Sequence, residues 1–207
     1  PGAGPGKSAF EYLGLREAAK DQPPEVTALP EKLTIGDEAL GCEFDPRRIA
    51  FTIEDRRTGR TRRSAPADTW LMVTRAIKEN PGTLALTLMN TGNGALYPCR
   101  IAVSAPAVLT FELEAADPQT AMHGVDTWPP RIETDFEKGM LVFCDRSCGV
   151  YTEQTDATYG GKSLLVYGNT QSLDMPWIGL ADEAKGDGVM VLLETPADAM
   201  IDLAPDA

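Results

Sequence analysis

The sequence holds one histidine, four cysteines and few aromatics, 7% of 207 residues. Each scarcity closes off a class of chemistry. With a single imidazole, His123, and the cysteine pair Cys144 and Cys148 set in a C-x3-C spacing without a second pair, a zinc site is not expected, and no metal ligands or cofactor are assigned. Free cysteine is among the most buried residue types, so Cys42, Cys99, Cys144 and Cys148 read first as small buried side chains; a disulfide would require an oxidising compartment. Apolar runs of about 18 residues are absent, so no transmembrane helix is expected. Positive charge is scarce as well: 19 Lys and Arg stand against 31 Asp and Glu, a net charge of −12. Such a chain repels phosphate backbones and anionic membrane surfaces, which argues against nucleic acid or membrane as its partner.

Catalytic signatures are missing too. No G-x-S-x-G elbow and no dinucleotide fingerprint occurs. "PGAGPGKS" mimics a phosphate-binding loop, but only three residues separate Gly2 from Gly6 where four are needed, and no strand precedes it. His123, in "AMHGVDTWPPRIETD", has no nucleophile motif beside it. The first ten residues lack the apolar segment of a signal peptide and suggest a mature N-terminus from which an upstream targeting signal has been removed.

What is present points to β structure. Ser8 could cap a short helix running to Lys20, on a face made by Ala9, Phe10, Leu13, Leu15 and Ala18. "DQPPEVTALPEK" then breaks it with three prolines. From Leu33 onward, short apolar stretches alternate with turn residues: "EKLTIG", "ALGCEF", "IAFTIE", "TWLMVTRAI", "TLALTLMN", "RIAVSA", "AVLTFELEA", "GMLVFC", "SLLVYG", "MPWIGLA", "VMVLLE" and "AMIDLA". Ile49, Phe51 and Ile53 alternate with polar or small neighbours, as do Leu84, Leu86 and Leu88, and Leu109, Phe111 and Leu113. Such alternation buries one face and wets the other. The expectation is an all-β chain, a large antiparallel β-sandwich at 31–207, preceded by a short N-terminal helix and Pro-rich linker at 1–30.

Turn chemistry agrees. Thr58-Gly59 in "EDRRTGRT", "NTGNGA" and "KGDG" each separate two strand candidates, with glycines that can take positive φ. The run Val189–Leu193 lacks polar alternation, so both its faces are expected to be covered, in a hairpin near the middle of a sheet or against a neighbouring domain. Seven arginines fall between positions 47 and 63: Arg47, Arg48, Arg56, Arg57, Arg60, Arg62 and Arg63. They read either as an anion or sulfated-polysaccharide patch or as a solvated hairpin whose charges pair with the abundant acids; the acidic whole favours the second. Acids stand beside tryptophan at Asp126, near Trp128, and Asp174, near Trp177. Tryptophan faces stack on the apolar C–H faces of sugar rings, although a tryptophan in a β protein is more often core.

Three stretches carry a resemblance. "IAFTIEDRRTGRTRRS" resembles an early strand–turn–strand of a large β domain. "TWPPRIETDFEKGMLVFCDRSCGVY" resembles a later Pro-Pro segment leading into an apolar strand, apart from its cysteines. "MPWIGLADEAKGDGVMVLLETPADA" resembles a hairpin of the form MP-[FW]-x-G-x-x-D … GDG … ETP-x-D-A. Together, over roughly Leu33 to Leu203, they resemble the N-terminal β-supersandwich, galactose-mutarotase-like, of glycoside hydrolases related to endo-alpha-N-acetylgalactosaminidases. The resemblance implies a secreted or periplasmic protein of carbohydrate metabolism. It also implies a (β/α)8 barrel following the sandwich and carrying the catalytic carboxylates. No βα alternation follows here, so no catalytic residue transfers and this chain alone is expected to be inactive. The implied role is a non-catalytic domain that supports the absent barrel, its partners being that barrel and carbohydrate; Trp128, Trp177 and Asp174 are the candidate sugar contacts. The alternative is a free-standing carbohydrate-binding or interaction module. A mutarotase-like enzyme would need a His–Glu acid–base pair, which the lone His123 does not provide.

Overall fold

The computed structural model describes residues 28–67, 70–114, 128–133, 136, 139–145, 148–153, 156, 158–159, 163–166, 172–194 and 200–203. The expected helix at 8–20 lies outside these residues, as do His123 and Asp126. The described part is all-β, with no helix among the described residues. The chain divides into two compact units, Pro1–Thr134 and Asp135–Ala207.

The first unit builds one antiparallel sheet from β1 (Leu33–Gly36), β2 (Leu40–Asp45), β3 (Ala50–Asp55) and β4 (Arg60–Ser64). A second antiparallel sheet holds β5 (Leu71–Asn80), β6 (Thr83–Asn90), β7 (Leu96–Ser104) and β8 (Val108–Leu113) in chain order. The two-residue β9 (Ile132–Glu133) adds to β4 at the edge of the first. Both sheets feed one core. Phe44 and Phe51 are register partners and stack at 4.9 Å, and Leu84, Leu86 and Leu88 enter from β6. The alternation in the sequence therefore sorts faces as expected. Ile49 is buried at φ 50°, a left-handed conformation unusual for a β-branched side chain. It closes a turn in which Asp45 Oδ1 accepts the amides of Arg47 and Arg48 at 2.9 and 3.1 Å. Edge strand β5 loses register between Val73 and Arg75 and again between Lys78 and Asn80; such irregularities twist an edge away from foreign strands.

The second unit pairs β10 (Gly139–Asp145), β11 (Cys148–Glu153), β14 (Trp177–Asp182) and β15 (Asp187–Leu192) in the order β11-β10-β14-β15, all antiparallel. A small mixed sheet joins β12 (Ser163–Val166) to β13 (Ser172–Leu173) in parallel and to β16 (Met200–Asp202) antiparallel. Leu141, Phe143, Leu164, Leu173 and Ile178 form its separate core.

One expectation is corrected. Val189–Leu193 is neither central nor covered on both faces: among the described residues β15 is an edge strand, Met190 and Leu192 are 69% and 56% exposed, and Leu193 packs against the second core. An unbroken apolar run is what a doubly covered strand and an uncovered contact strand have in common, so composition cannot separate them.

Candidate functional site

The hairpin β14–β15 is held by its turn. Asp182, 1% exposed, accepts the Lys185 amide at 3.1 Å and faces the Lys185 ammonium at 3.9 Å. Gly186 takes φ 60°, which a side chain would resist. The ladder then runs without a bulge from Asp182↔Asp187 to Trp177↔Leu192.

Register assigns the faces, because cross-strand partners project to the same side. Ile178 points into the second core, and its partner Val191 shares that side. On the opposite side lie Trp177 with its partner Leu192, Met190 beside Gly179, and, across β10 and β11, Val142 with its partner Tyr151. Met190, Leu192 and Tyr151 are exposed, and Trp177 and Val142 half-buried. The far face of this sheet is thus an apolar surface, with the Tyr151 hydroxyl donating to Glu183 at its margin. At the open edge, the Leu193 amide donates inward to the Pro176 carbonyl at 2.7 Å. Antiparallel alternation then turns the amides of Gly188, Met190 and Leu192 outward; that of Gly188 donates to Asp187 Oδ1 at 2.8 Å. Among the described residues no strand pairs with them. Between Asp187 and Glu194 the edge carries no charge and no proline to deter pairing.

The candidate sugar contacts do not form one described group. Trp128 belongs to the first unit, where its ring meets Phe51 at 5.8 Å and Phe111 at 6.1 Å, both edge-on. It extends the core, with its indole N–H buried. Trp177 and Asp174 share one stretch of the second unit, where the Asp174 amide donates to the Cys144 carbonyl at 2.9 Å.

Two arginines of the hairpin, Arg56 and Arg57, meet carboxylates. Asp55, 7% exposed, accepts the Arg57 Nη2 at 2.8 Å, Nε at 3.0 Å and backbone amide at 2.9 Å. The Arg57 guanidinium holds its carboxyl down at about 2, against the opposing effect of burial. Arg56 lies 3.8 Å from Glu54 and donates to the Asp37 carbonyl. Gly59 takes φ 70° at the turn. Burial, helped by the charge of Glu43, pushes the Cys42 thiol up to about 12; burial and Glu112 do the same for Cys99, opposed by the Trp128 indole. Cys144 is half-buried and Cys148 exposed, and all four are free thiols. No group of three His, Cys, Asp or Glu side chains poised for a metal occurs among the described residues. No described helix is long and apolar enough to cross a membrane.

Two features escaped the sequence reading: the far face just described, whose members come from four strands, and Trp70, 59% exposed. Compared with known proteins, the chain matches no family model and no curated protein.

Proposed function

We propose that the chain is a non-catalytic β domain of a glycoside hydrolase, and that the far face of sheet β11-β10-β14-β15 is the surface it lays against a catalytic barrel. In this reading the two sheets of the first unit form a β-sandwich, the supersandwich of galactose-mutarotase-like domains. The protein works on carbohydrate in a secreted or periplasmic setting.

The observation that carries the reading is the coincidence, on one sheet, of an exposed apolar face and an open, uncharged edge. Monomeric surfaces rarely expose such a patch unless something covers it. Trp177, Leu192 and Met190 supply large apolar contacts of the kind that dominate interface energetics. The hairpin that forms them is also the stretch whose sequence most closely resembles the family.

The test uses the complete gene product. Recombinant protein from the full reading frame should hydrolyse aryl glycosides while the 207-residue chain alone does not. Met190→Asp with Leu192→Asp in the full product should loosen the domain, seen as new protease cleavage at the hairpin. Turnover by the isolated chain would refute the reading. The alternative, a free-standing carbohydrate-binding module, draws on exposed Trp70, and would be favoured by a stop codon directly after residue 207.

A further inference from the structure

Trp70 immediately precedes β5, and Thr91 immediately follows β6. Its backbone is fastened: the Trp70 carbonyl accepts the Thr91 amide at 2.8 Å and the Thr91 hydroxyl at 3.2 Å. The turn beneath is fastened as well. Asn90 Oδ1 accepts the amides of Gly92 and Asn93 at 2.8 and 3.3 Å, the Gly94 amide returns to the Asn90 carbonyl at 2.7 Å, and Asn93 Oδ1 accepts the Ala95 amide at 2.9 Å. Gly92 lies beside the ring. A Cβ placed on it would stand 3.4 and 3.5 Å from ring carbons Cε3 and Cζ3 of Trp70 and 3.2 Å from Asn90 Oδ1. The indole thus lies within ordinary van der Waals reach of the turn while most of the residue stays in solvent.

The result is an aromatic ring braced on a hydrogen-bonded turn, beside the exposed side chains of Asn93 and Thr91. With its oxygen committed to Ala95, Asn93 keeps its amide NH2 for a ligand; Thr91 keeps oxygen lone pairs. Residues 90–95 carry no charge. An apolar ring face flanked by neutral donors and acceptors, already fixed in place, matches a molecule with an apolar face and a hydroxylated rim.

We infer that Trp70, Thr91 and Asn93 form a binding platform for a neutral sugar ring, the pyranose stacking on the indole and its hydroxyls meeting Asn93 and Thr91. The inference rests on the reading of this chain as part of a carbohydrate-active protein, and it moves the sugar contact from Trp128, which packs in the core, to Trp70. The absence of charge at the turn and the net charge of −12 select neutral sugars over sulfated or uronic ones.

The test is titration of the 15N-labelled 207-residue chain with galactose, glucose, N-acetylgalactosamine and N-acetylglucosamine, each also as a short oligosaccharide. Indole N–H resonances, assigned by single Trp→Phe variants, report each tryptophan separately. The expected result is a saturable shift of the Trp70 indole and of the Thr91–Asn93 amides at millimolar sugar. Trp70→Ala should abolish it and Asn93→Ala should weaken it about fivefold. Trp70→Ala should melt close to the parent, since its side chain is largely exposed, and Asn93→Ala should lose no more than the one exposed turn bond to Ala95. A shift confined to the Trp177 or Trp128 indole would overturn the Trp70 platform while leaving a carbohydrate role standing. No shift with any sugar would overturn the platform too, and the protease test on the full gene product would still decide the packing role separately. A self-association lost in Trp70→Ala would make the patch a contact between copies and overturn the inference.

Discussion

Asp55 shows how a single carboxylate can hold a hairpin. It joins the end of β3 to the turn through three bonds from Arg57 and, through its carbonyl, accepts the Gly59 amide at 2.7 Å. Its folded-state pKa of about 2 lies below the ordinary value of 3.8. A depressed pKa stabilises the fold above the unfolded value and loses that contribution as pH falls through the folded one. Asp55→Ala should therefore cost about 2 kcal/mol in urea unfolding at pH 7, and the gap to the parent should close between about pH 4 and pH 2. The thiols run the other way. Raised to about 12, Cys42 and Cys99 favour the fold fully below pH 9.0, and that contribution is lost as pH rises towards 12. In native protein at pH 8, a thiol reagent should label exposed Cys148 first and half-buried Cys144 more slowly, reaching Cys42 and Cys99 only with denaturant. Uniform labelling of all four, followed by mass spectrometry, would contradict this placement. At this scale the sequence spoke through glycine: Gly59, Gly94 and Gly186 all stand at positive φ in turns read from their neighbours. It was silent on Trp70, whose exposed ring lies against a turn about twenty residues away in the chain.

Among the elements, alternation was the most informative signal. β3 and β6 bury the residues their patterns select, Phe51 and Ile53 or Leu84, Leu86 and Leu88, because a pleated strand has no other way to place them. Strands without that pattern were passed over. "CGVYTE" forms β11 at a sheet edge with mostly exposed side chains, and the two-residue β9 and β13 are too short to carry a period. For β15 the apolar content was read correctly and its position was not. The sequence holds no record of which strand lies on the other side. The hairpin offers a contrast to measure. Ile178→Ala empties a buried site and should cost about 2 to 4 kcal/mol. Met190→Ala removes an exposed side chain and should change stability by less than about 0.5 kcal/mol. Chemical denaturation of both variants checks the pair; equal losses would mean that β15 is covered within the chain itself.

For the molecule as a whole, fold class was readable and organisation was not. Short apolar segments spaced by turns dictate antiparallel sheets, and the described residues are all-β. The division after Thr134, with a separate core on each side, leaves no composition shift to notice, since both units draw on the same strand vocabulary. The contact face is a property of assembly: Trp177, Leu192, Met190, Val142 and Tyr151 become neighbours only once four strands take their order. Its role as a contact surface is open to direct measurement by hydrogen exchange at the outward amides of Met190 and Leu192. They should exchange rapidly in the 207-residue chain and be protected by at least about tenfold in the complete gene product, where a partner domain covers them. Equally rapid exchange in both proteins would contradict a packed far face and, with it, the accessory role proposed for this domain.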